Sequence, residues 1–427
     1  MSRILFAWEL GANLGHLLRD VPVAEELRKA GHEVVFAVRD TRVAADILVP
    51  RQFDFVQSPI FIGSVRLAEP PANYAELLEA EGWCNRVALR GHLYAWLGII
   101  SMGKFDTVIA DHAPGALVAA HVAGCIGVAF GNGFEIPPDI EPMPTIRSWQ
   151  QYSEDRLMAS QRRVLSDINA VVVELGGKEF ARLGEIFPAN PIFGTFAELD
   201  HYGQRKDACY VGSIHGLSHA AEISWPSGVG QRVVVYLRSL QQATVEVITA
   251  LAKLHVSAIC VIPGADAQFK AKYQSDAITI VEHPVALDSL FENADALIGY
   301  ASVGVMTEAL LKGVPILMIP TTVEQYLVAK RAEAIGVGIL ISGVPDRDRI
   351  HTAIASLLSE ARFKDSAGKF AERYAQVTPA SASYDAAQRI NKLLIRHHES
   401  RSSFDKLRTS GLQTSRGRIN SISKARF

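Results

Sequence analysis

The segment Gly299–Gln325, GYASVGVMTEALLKGVPILMIPTTVEQ, contains in order a glycine-punctuated loop, a short helix, a buried strand and an acid–amide pair. The apolar runs that end at Tyr300 and Pro320 are typical of strands buried on both faces of a sheet. A helix is predicted to begin near Ser302, between these two strands. Strand, helix and strand in this order predict a unit of a parallel sheet that is covered by helices.

The same order recurs on both sides of this segment. In the first half of the chain, a strand at Arg3–Trp8, a helix at about His16–Ala30 and a strand at His32–Val38 form a βαβ unit. Further strands are predicted there at Phe105–Asp111 and Ala170–Leu175. The strands predicted in the second half are RVVVYLR from Arg232, SAICVIP from Ser257, AITIVE from Ala277, ALIGY from Ala296 and PILMIP from Pro315. The whole pattern predicts an α/β protein with two parallel sheets.

The composition indicates a globular protein of more than one domain. A chain of 427 residues exceeds the size at which a single core usually stops growing, about 250–300 residues. Its net charge of -2 gives no general attraction to nucleic acid. The four cysteines form no CxxC pair, so neither a disulfide framework nor a zinc site is expected, and a reducing cytoplasm fits best. No apolar run is long enough for a signal peptide or a membrane span, so no stable membrane insertion is expected.

A change in composition between about Pro191 and Gly230 marks a linker, because this stretch is rich in glycine, turn residues and isolated charges. The stretch from Glu399 to the end carries seven Lys or Arg against two acids. It is expected to be a disordered, solvated tail, and contact with an anionic surface is the alternative. The predicted division is a first lobe at 1–200, a linker at 201–230, a second lobe at 231–380, a helix at 381–398 and a basic tail at 399–427.

The helix that begins near Ser302 is expected to point its free N–H groups into the crevice above the second sheet, which makes an anion site. Open α/β sheets bind ligands at the carboxyl ends of their strands, so the strand ends at Tyr300 and Pro320 should face one cleft. Glu308, two turns into the helix, is placed to accept the hydroxyl protons of a ribose. Glu324 and Gln325, just past the next strand, are placed to do the same for a sugar ring.

These motifs resemble those of the GT-B-fold nucleotide-sugar glycosyltransferases, the superfamily of UDP-glycosyltransferases and bacterial macrolide glycosyltransferases. The residues EALLKGVPILMIP and EQ of the opening segment are similar to the family's glutamate, its Gly-Val-Pro turn and its acid plus glutamine. Near the N-terminus, GHLLRDVPVAEELRKAGHEV is similar to its Gly-His, later Pro and closing Gly-His-x-Val. The likeness extends from Arg3 to about His398. It implies two Rossmann-like domains that face a central cleft, with the helix Ser383–His398 crossing back to the first domain.

The resemblance also implies an activity. The expected function is inverting, metal-independent transfer of a sugar from a nucleotide sugar of the UDP or dTDP type to a hydroxyl of a small, apolar acceptor. The first lobe is expected to bind the acceptor and the second lobe the donor. No cofactor beyond the nucleotide sugar and no nucleic acid partner are expected. The alternatives are a non-catalytic or donor-impaired relative, and a sugar-nucleotide epimerase or hydrolase on the same fold.

Two residues of the first lobe match the family's catalytic pair. His16 corresponds to the base that takes the proton of the acceptor hydroxyl, and Asp111 to the aspartate that orients the imidazole. The alternative for His16 is a helix N-terminal histidine that hydrogen-bonds a loop, and the alternative for Asp111 is the N-cap of the next helix. His112 competes for either role.

The donor site departs from the family pattern. Tyr300, Ala301 and Ser302 stand in place of its His-Gly-Gly, Val305 in place of its small hydroxyl residue and Val328 in place of its usual asparagine. A glycine is also missing from VVVYLRSLQQ, where Arg238 and Ser239 are expected to supply other donors. The residues expected to bind the donor are Arg238, Ser239, Tyr300, Ser302, Gly304, Glu308, Glu324 and Gln325.

Three other signals have ordinary structural explanations. The Asp-x-Asp at Asp346–Asp348 has the form of a metal-chelating motif, but a helix N-cap explains it better. The segment Glu81–Ile100 carries two tryptophans and many aliphatic residues, which line either an apolar acceptor pocket or, more commonly, a helix core. No GxGxxG follows a strand, which disfavours a nicotinamide-dependent dehydrogenase.

Overall fold

The structure is a computed structural model with two parallel sheets, each covered by helices. It describes residues 1–12, 15–62, 65–206, 208–215, 221–227, 230–238, 242–343, 346–397 and 399.

The first sheet has the strand order β3-β2-β1-β4-β5-β6-β7, and all of its pairs are parallel. Its strands are β1 Arg3–Trp8, β2 Glu33–Val38, β3 Asp54–Gln57, β4 Thr107–Asp111, β5 Ile126–Gly131, β6 Ile192–Phe193 and β7 Cys209–Tyr210. The strand order reverses between β1 and β4, and such a reversal opens a crevice at the carboxyl ends of the two strands. β7 belongs to this sheet, so the first sheet includes part of the predicted linker 201–230.

Six α-helices follow the strands of the first lobe: α1 Gly15–Lys29, α2 Thr41–Leu48, α3 Tyr74–Ala80, α4 Arg86–Gly103, α5 Pro114–Ala123 and α6 Glu154–Glu174. The strand predicted at Ala170–Leu175 is wrong, because these residues form the C-terminal end of α6 and its cap. Val164, Ile168 and Val171 are buried along one helical face, and Ser153 caps the helix start. A short apolar run does not distinguish a strand from a buried helical turn.

The second sheet has the order β10-β9-β8-β11-β12-β13 and is also parallel. Its strands are β8 Arg232–Tyr236, β9 Ser257–Val261, β10 Ile278–Val281, β11 Ala296–Gly299, β12 Ile316–Met318 and β13 Gly338–Leu340. The helices are α7 Gln242–Leu254, α8 Ala267–Tyr273, α9 Leu287–Phe291, α10 Val303–Leu311, α11 Val323–Ala334, α12 Arg347–Ser359 and α13 Ala361–Arg373. Here the order reverses between β8 and β11. Asp346 caps α12 by accepting from the Arg349 N–H at 2.8 Å, which confirms the N-cap interpretation of the Asp-x-Asp motif.

The last described helix, α14 at 379–397, crosses back to the first lobe as predicted. Its buried residues Ala386 and Ile390 share a hydrophobic cluster with Leu17 of α1. Asn391 Oδ1 also lies 2.7 Å from Nε2 of His32, which precedes β2. The predicted basic tail lies outside the described residues except for Glu399.

The two lobes contact each other directly. Lys330 of α11 donates to Ser148 Oγ at 3.1 Å, and the rings of Trp149 and Tyr326 meet edge to face with their centroids 4.5 Å apart. The carboxyl ends of both sheets therefore border one cleft between the lobes. The domain boundary itself stays a proposal. Among the described helices, none combines the length and the apolar character needed to cross a bilayer.

Gly338 tests the packing of the second sheet. A Cβ at this position would lie 1.9 Å from the Ile316 carbonyl oxygen of the paired strand β12. We expect Gly338→Ala to lower the free energy of unfolding by about 1–3 kcal/mol through overpacking, as measured by chemical denaturation. The matched control is Gly368→Ala in α13, where a Cβ meets nothing within 4 Å. This change should raise stability by about 0.5–1 kcal/mol, and similar values for the two variants would contradict the packing argument.

Candidate active site

His16 and Asp111 meet at the carboxyl edge of the first sheet, where its strand order reverses. His16 lies in the first turn of α1, and its Nδ1 is 2.9 Å from Oδ1 of Asp111, the last residue of β4. A hydrogen bond from Nδ1–H to the carboxylate leaves the Nε2 lone pair free to accept a proton. The indole of Trp8 stacks on the imidazole at a centroid distance of 5.2 Å. Nε2 faces Gly11, and a Cβ atom added at Gly11 would lie 2.7 Å from this nitrogen.

This geometry excludes the two structural alternatives for the pair. The N-cap of α5 is Ala113, with no side-chain cap bond, so Asp111 is not the cap of the following helix. His16 is bonded to Asp111 rather than to a loop. His112 lies beside them, with its ring centroid 6.2 Å from that of His16. Burial lowers the pKa of His112 to about 4, so it is the weaker candidate for a base at neutral pH.

Arg19 and Glu135 complete the surroundings of Asp111, and both were missed in the sequence. Arg19 Nη2 lies 2.5 Å from each carboxylate oxygen of Asp111 and 3.1 Å from Glu135 Oε1. Glu135 Oε1 also accepts from the Asn132 N–H at 2.7 Å. Arg19 could have been identified from the sequence, because it lies three residues after His16 and therefore on the same helical face. Glu135 carries no comparable signal.

The buried charges of this cluster shift each other's ionisation. Burial by itself would raise the pKa of Asp111, but the Arg19 guanidinium and the His16 imidazole together hold it well below its usual range. Burial and the nearby Asp111 charge raise the pKa of Asp20 well above its usual range, which favours its neutral form. Asp111 is therefore a persistent carboxylate next to the imidazole.

Glu324 reaches this cluster from the second lobe. It lies in the first turn of α11, and the residue is exposed. The protein around the cleft and the charge of Glu135 raise its pKa to about 7, while the charges of His16 and Arg19 oppose the increase. The structure thus brings together the predicted base and one of the predicted sugar-binding residues.

Gln325 takes part in a capping box at the start of α11. Its backbone N–H donates to Thr322 Oγ1 at 3.3 Å, and its side-chain oxygen accepts from the Thr321 and Thr322 N–H groups at 2.9 and 3.3 Å. The oxygen is thereby committed to the helix start. The amide NH2 is the group that Gln325 can offer to a ligand.

Glu308 lies away from the His16 cluster, on α10 facing the segment between the lobes. Its Oε2 is 3.7 Å from Nε2 of His215, a residue that the sequence analysis did not identify. Burial, assisted by the charge of Asp288, raises the pKa of Glu308 to about 7. Ser213, two residues before His215, bonds to Thr307 of α10, so this segment is fixed against the predicted ribose site.

The predicted phosphate site lies between β11 and α10. Ala301 has a φ of 60°, a left-handed conformation that glycine adopts readily, so the backbone keeps the form that a glycine would give. Ser302 is the N-cap residue of α10, and a side chain added at Gly304 would meet nothing within 4 Å. The space next to Gly304, on the side where a Cβ would lie, is therefore open.

Tyr300 and Arg238 flank the same site. Burial raises the pKa of Tyr300 to about 12, and a hydrogen bond with Arg238 opposes the increase. Arg238 is exposed, at the end of β8. Ser239, the other donor expected in this loop, lies outside the described residues.

The two tryptophans of Glu81–Ile100 belong to the core of the first lobe. Trp83 and Trp96 are fully buried in a cluster with Leu93 and Ile100, which confirms the core interpretation of this segment. A separate cavity of about 370 Å³ opens beside Gly11. Its lining is about equally polar and apolar, and its polar residues are Arg39, Asp40, Thr41, Arg42 and Gln57. Within the described part of the chain, no group of three His, Cys, Asp or Glu side chains is arranged to hold a metal ion.

The raised pKa of Glu308 predicts a pH-dependent stability. Its folded-state pKa of about 7 exceeds the ordinary value of 4.5, so the stability that the neutral acid contributes is complete below about pH 4.5 and is lost as the pH rises through 7. We compare the free energy of unfolding of Glu308→Gln with that of the unsubstituted protein at each pH. We expect this difference to shift by about 1–3 kcal/mol in favour of the variant when the pH is raised from 5 to 8.5. Chemical denaturation at both pH values measures this, with the exposed Glu179→Gln as control. A gain that is independent of pH would contradict the burial of this carboxyl.

The second lobe matches a known protein family, and nearly the whole chain shares its fold with solved structures. Residues 242–388, which cover most of the second lobe and the start of α14, match the family described as erythromycin biosynthesis protein CIII-like, C-terminal domain. No curated protein matches the chain by sequence.

Solved structures match nearly the whole chain. The glycotransferase of kitacinnamycin superposes with a TM-score of 0.67 at 18% identity, covering 92% of this chain and 98% of the other. SnogD, a glycosyltransferase from Streptomyces nogalater, gives 0.62 at 18% identity over 92% and 99% of the chains. The spinosyn rhamnosyltransferase SpnG, complexed with thymidine diphosphate, gives 0.63 at 17% identity over 91% and 100%. These identities establish the fold. The similarity shows that the chain has the GT-B fold, and the family match is confined to residues 242–388.

Proposed function

We propose that the protein is an inverting, metal-independent glycosyltransferase that moves a sugar from a nucleotide sugar of the UDP or dTDP type to a hydroxyl of a small acceptor. The observation that carries the proposal is the His16–Asp111 pair, which lies at the sheet edge bordering the cleft and close to Glu324 of the opposite lobe. A base in the first lobe facing a predicted sugar-binding residue in the second is the arrangement that transfer between two substrates requires. The complex of the structurally similar SpnG with thymidine diphosphate supports a nucleotide in such a cleft.

The proposed reaction is a single displacement at the anomeric carbon. The acceptor hydroxyl gives its proton to Nε2 of His16 while its oxygen forms the new bond to that carbon. The bond from the anomeric carbon to the diphosphate oxygen breaks on the opposite face, so the configuration inverts and the nucleoside diphosphate leaves with the electron pair. Asp111 accepts the Nδ1–H throughout and stabilises the imidazolium that forms.

The donor is proposed to lie along the carboxyl edge of the second sheet. Glu308 would accept from the ribose hydroxyls, and Glu324 with the amide of Gln325 would bind the sugar. The diphosphate would face the first turn of α10, whose N–H groups and dipole favour an anion. Tyr300, Ser302, Gly304, Arg238 and Ser239 are the residues proposed to surround it. These donors supply the positive potential for which a metal would otherwise be needed.

The acceptor is proposed to bind to the first lobe. Its apolar character is a prediction from the resemblance, because Trp83 and Trp96 are fully buried core residues. The cavity beside Gly11, with Arg39 and Gln57 in its lining, gives this side of the lobe a polar surface.

A non-catalytic relative is the second candidate, because Tyr300-Ala301-Ser302 replaces the family's His-Gly-Gly. The left-handed Ala301 favours retained donor binding, since the backbone keeps the conformation that the glycine would have. Calorimetric titration with UDP and with dTDP separates the two candidates, and binding of neither nucleotide would favour the second.

His16 tests the mechanism. We expect His16→Ala to lower turnover by about 10²–10⁴ with near-native donor affinity, because proton abstraction matters only as the transition state forms. The acidic limb of the pH profile should disappear with it. Transfer to an aliphatic alcohol is the measurement, since an acidic phenol would need little help from a base. His121→Ala, an exposed histidine on α5, is the control. Full activity of His16→Ala would refute the assignment.

Glu308 and Gln325 test the division of the donor site. If Glu308 binds ribose, Glu308→Ala should weaken the binding of free nucleotide. Gln325→Ala should leave free nucleotide unchanged and weaken only the complete nucleotide sugar. Calorimetry with both ligands on both variants measures this. Equal losses of free-nucleotide affinity in the two variants would contradict the assigned roles.

A further inference from the structure

The guanidinium of Arg19 is buried between two carboxylates and next to the proposed base. It lies 2.5 Å from both oxygens of Asp111 and 3.1 Å from Glu135, and its side chain is only 4% exposed. The side chain is closely confined, since any Cβ at Gly194 would approach its Cδ to 3.0 Å. The guanidinium also lies over the Phe130 ring at 5.8 Å. Arg19 is therefore a fixed, desolvated charge within the site.

The charges of the residues around His16 do not sum to zero. Asp111 and Glu135 contribute two negative charges and Arg19 one positive charge, so one negative charge remains. An imidazolium at His16 would balance it, whereas neutral imidazole leaves it in place. Without Arg19, two unbalanced carboxylates would surround the imidazole and would favour its protonated form strongly.

We propose that Arg19 is a positioning residue that keeps His16 neutral before proton transfer and leaves one carboxylate charge to stabilise the imidazolium once it forms. Contact with both oxygens also fixes the Asp111 carboxylate, so that Oδ1 points at Nδ1 of His16. A base that was already protonated could not accept the acceptor's proton, so the counter-charge decides whether His16 can act at neutral pH. The catalytic consequence rests on the proposed function. The effect on His16 titration does not.

Three of the other ionisable groups around His16, Asp20, His112 and Glu9, leave this balance unchanged. Asp20, on α1, is favoured in its neutral form by burial and by the Asp111 charge, which raise its pKa. His112, after β4, is kept neutral by the burial that lowers its pKa to about 4. Glu324 on α11 adds a negative charge only above its pKa of about 7. Glu9, after β1, is turned away and binds His92 and the Gly115 N–H at 2.8 Å each.

The test is the titration of the His16 ring in the full-length protein, followed by its imidazole NMR resonances and assigned by their loss in His16→Asn. Arg19→Gln removes the positive charge and should raise the titration midpoint by about one pH unit or more. Glu135→Gln removes a negative charge and should lower it. If Arg19 had only a structural role, the two substitutions would not be expected to shift the titration midpoint of His16 in opposite directions.

Arg19→Lys is the conservative control, since it keeps the positive charge but replaces the guanidinium whose Nη2 contacts both Asp111 oxygens. Its midpoint should stay close to that of the unsubstituted protein. The acidic limb of the kcat/KM profile should follow the same shifts, upwards in Arg19→Gln and downwards in Glu135→Gln, with kcat changing more than KM.

Unshifted midpoints, or shifts of the same sign in both variants, would overturn the proposal. If Arg19→Gln does not fold, Glu135→Gln decides alone, and an unchanged or raised midpoint in that variant overturns it. If the unsubstituted protein transfers no sugar but the opposite NMR shifts are found, the proposed function fails while the electrostatic role of Arg19 stands.

Discussion

The register between β1 and β4 determines the site. These strands pair in parallel so that Trp8 lies opposite Asp111, at the edge where the strand order of the first sheet reverses. α1 then brings His16 over this edge, where Trp8 stacks on its ring and Asp111 binds its Nδ1. Because successive side chains of a strand face opposite sides, a slip of one residue would turn Asp111 to the other face and separate the pair.

Burying several charges in one place is costly unless each charge has a partner. The cluster meets this condition through Arg19, which contacts Asp111 and Glu135 at once, and through Asp20, for which burial favours the neutral form. An isolated carboxylate at this depth would instead be expected to take up a proton. The persistent charge of Asp111, on which the orientation of His16 depends, is therefore a property of the whole cluster and not of the pair alone.

The two lobes share a backbone feature at their ligand edges. In each lobe a residue other than glycine adopts a left-handed conformation just after a strand at the point of reversal, His112 after β4 and Ala301 after β11. Such conformations cost about 1–3 kcal/mol and concentrate at functional sites. Near the same edges, Glu308 and Glu324 have pKa values raised to about 7. Strained backbone in both lobes, together with two carboxyl groups of raised pKa in the second lobe, supports the proposed binding site.

The sequence alone determined the two βα lobes, because hydrophobic periodicity is encoded locally. The returning C-terminal helix and the pairing of His16 with Asp111 were expected from the family resemblance. It failed at Ala170–Leu175, where a short apolar run fits a strand and a helical turn equally well. Only the tertiary structure showed that Arg19 and Glu135, 116 residues apart in the chain, join the same buried cluster. The physical reason is that charge balance depends on which elements the sheet order brings together, and local patterns carry no record of that proximity.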